Sequence, residues 1–281
     1  MVNRGNRRAG LFVLVVLALM SMPAVLPHGV PAQAQTAAPR FLPATPPVPL
    51  FFREPWRQTR PFDASTGFRP EAGVTPAAVT NAQLELRLYD PLAKNVPLYL
   101  KDSPPGSGPV DWTGPSCIQL GGYNQNPPPA QVVAGQPSDP PNLWTGVCQT
   151  SVAATLRHRE SFVNLTGLAR IRWVTRTSGF HVVRPVVKLA DGTWLVGDYG
   201  EGAHSANSGL FVESEVAMAN VRWLPLEIGR VVTRGERWVE KPDLSRVDEV
   251  GFADLLPGSG HGWGGFVNVA RIEVYGTPVR R

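Results

Sequence analysis

Between Asn164 and Tyr199 the chain repeats with a period of two, and that rhythm constrains the fold more than any other feature. Ala169, Ile171, Trp173 and Thr175 alternate with Arg170, Arg172, Val174 and Arg176, the pattern of a strand with one buried and one wet face. A helix would need a period near 3.6. Ser178 and Gly179 interrupt the run, and Phe180 to Leu189 follows with Val182, Val183, Val186 and Val187, which predicts a hairpin. Asp191 and Gly192 form a strong turn signal leading into a third strand, Thr193 to Asp198, and the three strands read as an antiparallel meander.

Further short strands are predicted at Leu84–Tyr89, Ser151–Arg159, Leu210–Ala217, Val221–Ile228, Val247–Asp254 and Val267–Tyr275. Turn-rich joints separate them and no segment has a convincing amphipathic helical period. The expected fold is therefore all-β, an antiparallel two-sheet jelly-roll β-sandwich. It would occupy residues 81–281, behind a Pro/Ala-rich linker or arm at 35–80. Within that arm Phe51, Phe52, Arg53, Glu54, Pro55 and Trp56 are unusually aromatic, and are expected to dock on the sandwich.

Residues 1–34 read as a signal peptide. Arg4, Arg7 and Arg8 precede the apolar run Leu11 to Met22, and Ala32, Gln33 and Ala34 give a small-x-small cleavage pattern. The run is shorter than the about 20 residues a membrane-spanning helix needs, so no integral span is expected in the mature chain. The adjacent arginines leave both the general and the twin-arginine export routes open. The predicted location is periplasmic or secreted.

Removing the three leader arginines lowers the formal charge from +5 to +2, too little for a nucleic-acid binder with a clustered basic stripe. Arg170, Arg172 and Arg176 line one strand face, which reads as solvated surface. Cys117 and Cys148 are the only cysteines, and in an exported chain they predict a disulfide. It would pin the long Pro/Gly-rich loop between Lys101 and Val147, which carries Trp112, Tyr123 and Trp144 and shows no run long enough for a sheet. Those rings suit either sugar stacking or packing beneath the loop.

The succession of Asn164 to Trp173, Thr193 to Tyr199, Val221 to Ile228, Val247 to Leu255 and Val269 to Gly276 resembles a carbohydrate-binding-module pattern. It is similar to galactose-binding-like sandwiches, including the family of the complex I intermediate-associated protein. Trp223, Leu224, Leu226 and Ile228 match its middle strand, and Ile272, Val274 and Tyr275 its last. The likeness covers about residues 150 to 276 and implies a fold more than a function.

Candidate ligand residues come from two places. If Val183, Val187 and Leu189 face the core, Arg184 and Lys188 face away, and Trp194, Val196 and Asp198 share one face of the next strand. Arg184, Trp194 and Asp198 would then suit a sugar, the ring stacking and the charged groups bonding hydroxyls. His181 accompanies them. The glycine-rich loop 258–266 adds His261 and Trp263, without a phosphate-binding fingerprint.

The favoured function is an exported, non-catalytic protein binding carbohydrate or cell-envelope polysaccharide, with no nucleic-acid partner and no organic cofactor. A structural calcium on loop oxygens would leave no sequence signature and stays open. His181, His204, His261 and Asp198 match no compact zinc spacing. One rival is a glycan-active hydrolase or lyase using Asp198 with Glu201 or His261, since Asp198, Glu201, Glu213 and Glu215 are the available carboxylates. Another is a structural or assembly protein of the cell envelope.

Overall fold

The structure, a computed structural model, describes residues 47–57, 74–91, 116–121, 140–146, 148, 150–202, 211–235, 237–256 and 265–281; the side chains of 201 and 202 are left aside. Residues 1–34, Trp112, Tyr123, His204, His261 and Trp263 lie outside these. The strands in chain order are β1 (Leu50–Glu54), β2 (Leu84–Tyr89), β3 (Gln119–Gly121), β4 (Asn142–Trp144), β5 (Val152–His158), β6 (Ser161–Asn164), β7 (Arg170–Gly179) and β8 (Val182–Leu189). They continue with β9 (Trp194–Gly197), β10 (Glu201–Gly202), β11 (Val212–Ala217), β12 (Trp223–Glu227), β13 (Val232–Thr233), β14 (Val247–Asp254), β15 (Gly265–Tyr275) and β16 (Thr277–Arg280). Besides strands, two single 3-10 turns occur among the described residues, and no helix there is long and apolar enough to cross a membrane.

Two antiparallel sheets form a sandwich, as the alternating pattern predicts. The smaller runs β11-β7-β15-β4-β3, with β1 beside β4 along the edge of β15; the larger runs β13-β12-β9-β8-β14-β5-β2, with β6, β10 and β16 attached at its margins. Between them lies one apolar core. Ile171 and Trp173 from β7, Val267, Val269, Ile272 and Val274 from β15 meet Val183 and Val187 from β8, Leu156 from β5 and Val250 and Phe252 from β14. A bulge between Val269 and Arg271 shifts the parity of β15, so both Val269 and Ile272 face inward.

The predicted meander needs one correction. β8 and β9 do form a hairpin, with Leu189 and Thr193 bonded across a turn in which Gly192 has φ +91°. β7, however, belongs to the smaller sheet and β8 to the larger, so Ser178 to His181 is a crossing between sheets rather than a hairpin turn. Gly179 takes φ +66°, a conformation L side chains rarely adopt, to turn the chain there. Alternation reveals which face of a strand is buried but not which sheet it joins.

The segment Leu50–Glu54 pairs with β15 as a strand of the smaller sheet. Phe52 and Trp56 are buried in the core, and the Trp56 indole donates to the Val269 carbonyl at 2.9 Å. Buried Glu54 anchors the following turn by accepting from the backbone of Trp56, Thr80 and Asn81. The disulfide Cys117–Cys148 is formed. Within the loop it spans, β3 and β4 pair with each other, and β4 joins β15, where no strand was expected.

On the outer side of the smaller sheet the arginine row is matched by carboxylates. Arg170 and Arg172 both meet Glu215, at 3.0 and 3.1 Å, while Arg271 pairs with Glu213 and Arg53 with Glu273. Burial by itself would raise the Glu273 carboxyl, but hydrogen bonds from Tyr275 and Arg53 and the nearby positive charges hold it below its usual range. Asp248, on the larger sheet, is likewise held low against burial by Arg281 and Arg157. A carboxylate whose folded pKa is depressed contributes stability that is complete above its unfolded pKa and lost as pH falls through the folded one. Unfolding midpoints in urea should therefore drop most steeply below about pH 4, and Asp248→Asn should flatten that acid limb.

Candidate functional site

The outer face of the larger sheet is built by the residues that alternate with its core positions. Strand register places Trp194 of β9 beside Lys188 of β8, then Glu249 of β14, Arg157 of β5 and Glu85 of β2. The next row runs through Val196, Val186, Gly251, Thr155 and Arg87, and a third through Arg184, Ala253, Ala153 and Tyr89. At the centre Gly251 has to be glycine. A Cβ there would lie 2.0 Å from the Ala154 carbonyl oxygen and 2.6 Å from Thr155 Cα, inside the β5 backbone.

This face carries a second apolar cluster, separate from the core, of Ala153, Val186, Val196, Leu226, Val231 and Ala253. Tyr89 and Trp194, both partly buried, pack against it from opposite sides of the sheet, and their rings meet edge to face at 5.0 Å. Three strands separate β2 from β9, so both side chains lie down over the sheet rather than standing away from it. Lys188 Nζ sits 5.6 Å from the Trp194 ring centroid, a cation–π distance.

Beneath these rings Glu249 has no solvent exposure. One carboxylate oxygen accepts from Arg87 and Lys188, each at 3.2 Å; the other accepts from the Tyr89 hydroxyl at 2.9 Å and the Thr155 hydroxyl at 2.6 Å. A buried carboxylate is stable only when so satisfied. Burial first, then the Glu249 charge and hydrogen bond, push the Tyr89 phenol well above its ordinary range, so it remains a neutral donor. Glu249 thus fixes the orientation of Tyr89 and Lys188 on the face.

Asp198 follows β9 at the margin of the same face. It accepts from Arg222 twice, from the backbone N–H at 2.8 Å and from Nε at 2.7 Å. Burial alone would raise its carboxyl; the Arg222 hydrogen bonds and charge outweigh that and hold it low. Arg222 also lies over the partly exposed Trp238 ring, 4.3 Å from its centroid. Arg184 donates from Nη1 to the carbonyl oxygens of Gly197 and Asp198, at 3.4 and 3.3 Å.

Of the residues singled out in the sequence, the structure places Arg184, Trp194 and Asp198 on this one face. His181 is elsewhere, 1% exposed at the crossing between the sheets. Its Nδ1 faces both Asp254 carboxylate oxygens, at 2.9 and 2.7 Å, and Thr145 donates to the same carboxylate at 2.8 Å. Thr145 in turn accepts from the Val267 backbone N–H, so the group ties both sheets at one end of the sandwich. His261 and Trp263 fall outside the described residues. Trp144 is packed away, edge to face with Phe266 and against Gly146, where a Cβ would come 2.1 Å from the indole.

Of the carboxylates named for a glycan-cleaving pair, Asp198 lies on the larger sheet, whereas Glu213 and Glu215 lie on the smaller and are bound by arginines; the Glu201 side chain and His261 lie outside what the structure describes. The one described group of three residues spaced to share an ion is Asp90, Cys117 and Cys148, and its sulfurs are spent in the disulfide.

Tyr89, Glu249, Thr155 and Lys188 were not singled out as ligand residues. Strand parity does place Tyr89 with Glu85 and Arg87 on the non-core side of β2, and Glu249 opposite Val250; nothing local signals that the two meet.

No family model matches the chain, and no curated protein matches it. Among solved structures it is similar to a family 11 carbohydrate-binding module of the cellulosomal cellulase Lic26A-Cel5E of Clostridium thermocellum, at 13% identity and TM-score 0.31, over 52% of this chain and 80% of that one. It is also similar to the carbohydrate recognition domain of Emp47p, at 10% identity and TM-score 0.28, over 58% of this chain and 89% of that one. At such scores neither likeness bears on what this chain does.

Proposed function

We propose that this is an exported, non-catalytic carbohydrate-binding protein of the cell envelope or extracellular space, and that its ligand lies across Trp194 on the outer face of the larger sheet. One observation carries the reading: a partly exposed indole, braced by Tyr89 over a small apolar floor, is ringed by ordered hydrogen-bonding side chains. A pyranose presents the matching chemistry, an apolar ring face with hydroxyls around its edge. Arg184 and Asp198 bound the site at one end and Lys188 at the other. The disulfide supports an oxidising compartment outside the cytosol.

The purified full chain on a glycan array and against soluble polysaccharides tests this, with retention and the release of reducing ends followed together. Retention without release is the expected result. Release would transfer the reading to a glycan-active enzyme, and neither retention nor release would overturn carbohydrate binding. For a retained glycan, Trp194→Ala should weaken binding by about 2 kcal/mol, roughly thirtyfold. Its thermal midpoint should stay close to wild type, because Trp194 contributes to the surface cluster and not to the core.

A further inference from the structure

We infer that the ligand of this face is an anionic polysaccharide, and that Arg184 is the residue that reads its charge. The inference rests on the carbohydrate reading above and narrows it.

The other charges named on the face are paired. Arg87 and Lys188 meet Glu249, Arg157 meets Asp248 at 3.1 Å, and Arg222 meets Asp198 at 2.7 Å. Arg184 is the exception: among the described residues no carboxylate lies within ion-pair distance of it. The omission is pointed, because a partner stands at hand. Val186 pairs with Val196, so two residues further along the antiparallel hairpin Arg184 comes level with Asp198. Asp198 turns to Arg222 instead, which takes both of its carboxylate oxygens.

What Arg184 receives in exchange is weak. Its Nη1 is shared between two carbonyl oxygens at 3.3 and 3.4 Å, and no bond from Nη2 or Nε to a described residue accompanies them. A half-buried guanidinium therefore keeps a planar fork of donors on the ligand face. That fork matches the two oxygens of a uronate carboxylate, or of a sulfate ester, in a bidentate pair. Glu249 and Asp198, the carboxylates named on this face, already hold cationic side chains, Arg87 and Lys188 on the one and Arg222 on the other. A neutral sugar would meet only hydroxyl-to-guanidinium bonds at Arg184, while its ring could still stack on Trp194.

Two matched pairs of polymers test this with the full chain: polygalacturonate against its methyl ester, and dextran sulfate against dextran. The expected result is that at least one anionic member binds about ten- to a hundredfold more tightly than its neutral counterpart at low salt. Raising the salt should narrow the gap. Arg184→Gln should abolish the preference, so that both members of a pair bind with the same weaker affinity, whereas Trp194→Ala should weaken both members and keep the preference. The two anionic polymers tell carboxylate from sulfate. Equal binding of both members of each pair, or a preference that survives Arg184→Gln, would overturn the inference and leave the carbohydrate reading standing. Retention of no glycan on the array and none of these four polymers would overturn both.

Discussion

Replacing Glu249 with alanine should lower the unfolding free energy by about 3–5 kcal/mol, the cost of removing one partner from a buried ion pair. The carboxylate is fully enclosed, and four donors converge on it: Arg87, Lys188, Tyr89 and Thr155. Its removal leaves two cations without their counter-charge and two hydroxyls without their acceptor, on the face of a central strand. Glu249→Gln should lose less, because the amide oxygen still accepts from one side, although its NH2 group then opposes donors on the other. Asp198→Ala provides the contrast. Its partner Arg222 is largely exposed, and a pair of that kind contributes about 0–1 kcal/mol. Urea unfolding of the three variants checks the order; a Glu249→Ala variant as stable as Asp198→Ala would show that the enclosed carboxylate does not hold β2, β5, β8 and β14 together.

Opening the disulfide should cost a comparable amount by a different route. Cys117 and Cys148 are 31 residues apart, and closing a loop of that length stabilises the folded chain by about 3.5 kcal/mol through the entropy of the unfolded state. Cys117→Ser with Cys148→Ser should lower the urea midpoint accordingly, and a reductant should do the same to the wild type but not to the double variant. The affected region is the edge formed by β3 and β4. Cys117 begins it, its backbone N–H bonded to Asp90 at 2.7 Å, and Cys148 closes it just after β4. Because the disulfide borders the smaller sheet and Glu249 lies on the outer face of the larger, the two losses should add.

The alternating stretches were legible because their alternation survives into the fold. Leu84–Tyr89 and Val247–Asp254 are strands with the bounds that their patterns predict. Assignment to sheets was not legible. Ser178 and Gly179 look like any hairpin turn, and only the packing of β7 against β11 and β15 shows that the chain changes layers there. The three-residue strands β3 and β4 are too short to carry a period, and they form because the free edge of β15 lies beside them.

For the candidate site, parity sufficed to put Arg184, Trp194 and Asp198 on one side, since Val183 and Val187 had to face the core. It could not supply Glu249. A glutamate on the polar side of a strand reads as solvated surface, and it becomes an enclosed anchor only when Tyr89 and Lys188 converge on it from other strands. His181 shows the converse. Its neighbours in sequence suggested a ligand residue, whereas the change of sheet at that point carries it inward to Asp254.

The most direct measurement of the central claim is affinity electrophoresis of the full chain through gels holding a polysaccharide retained on the array. Wild type, Trp194→Ala and Leu168→Ala would run side by side, Leu168 being a well exposed apolar side chain outside the face. Retardation of the wild type and of Leu168→Ala is expected, with free migration of Trp194→Ala at an unchanged thermal midpoint. Equal retardation of all three would contradict that claim.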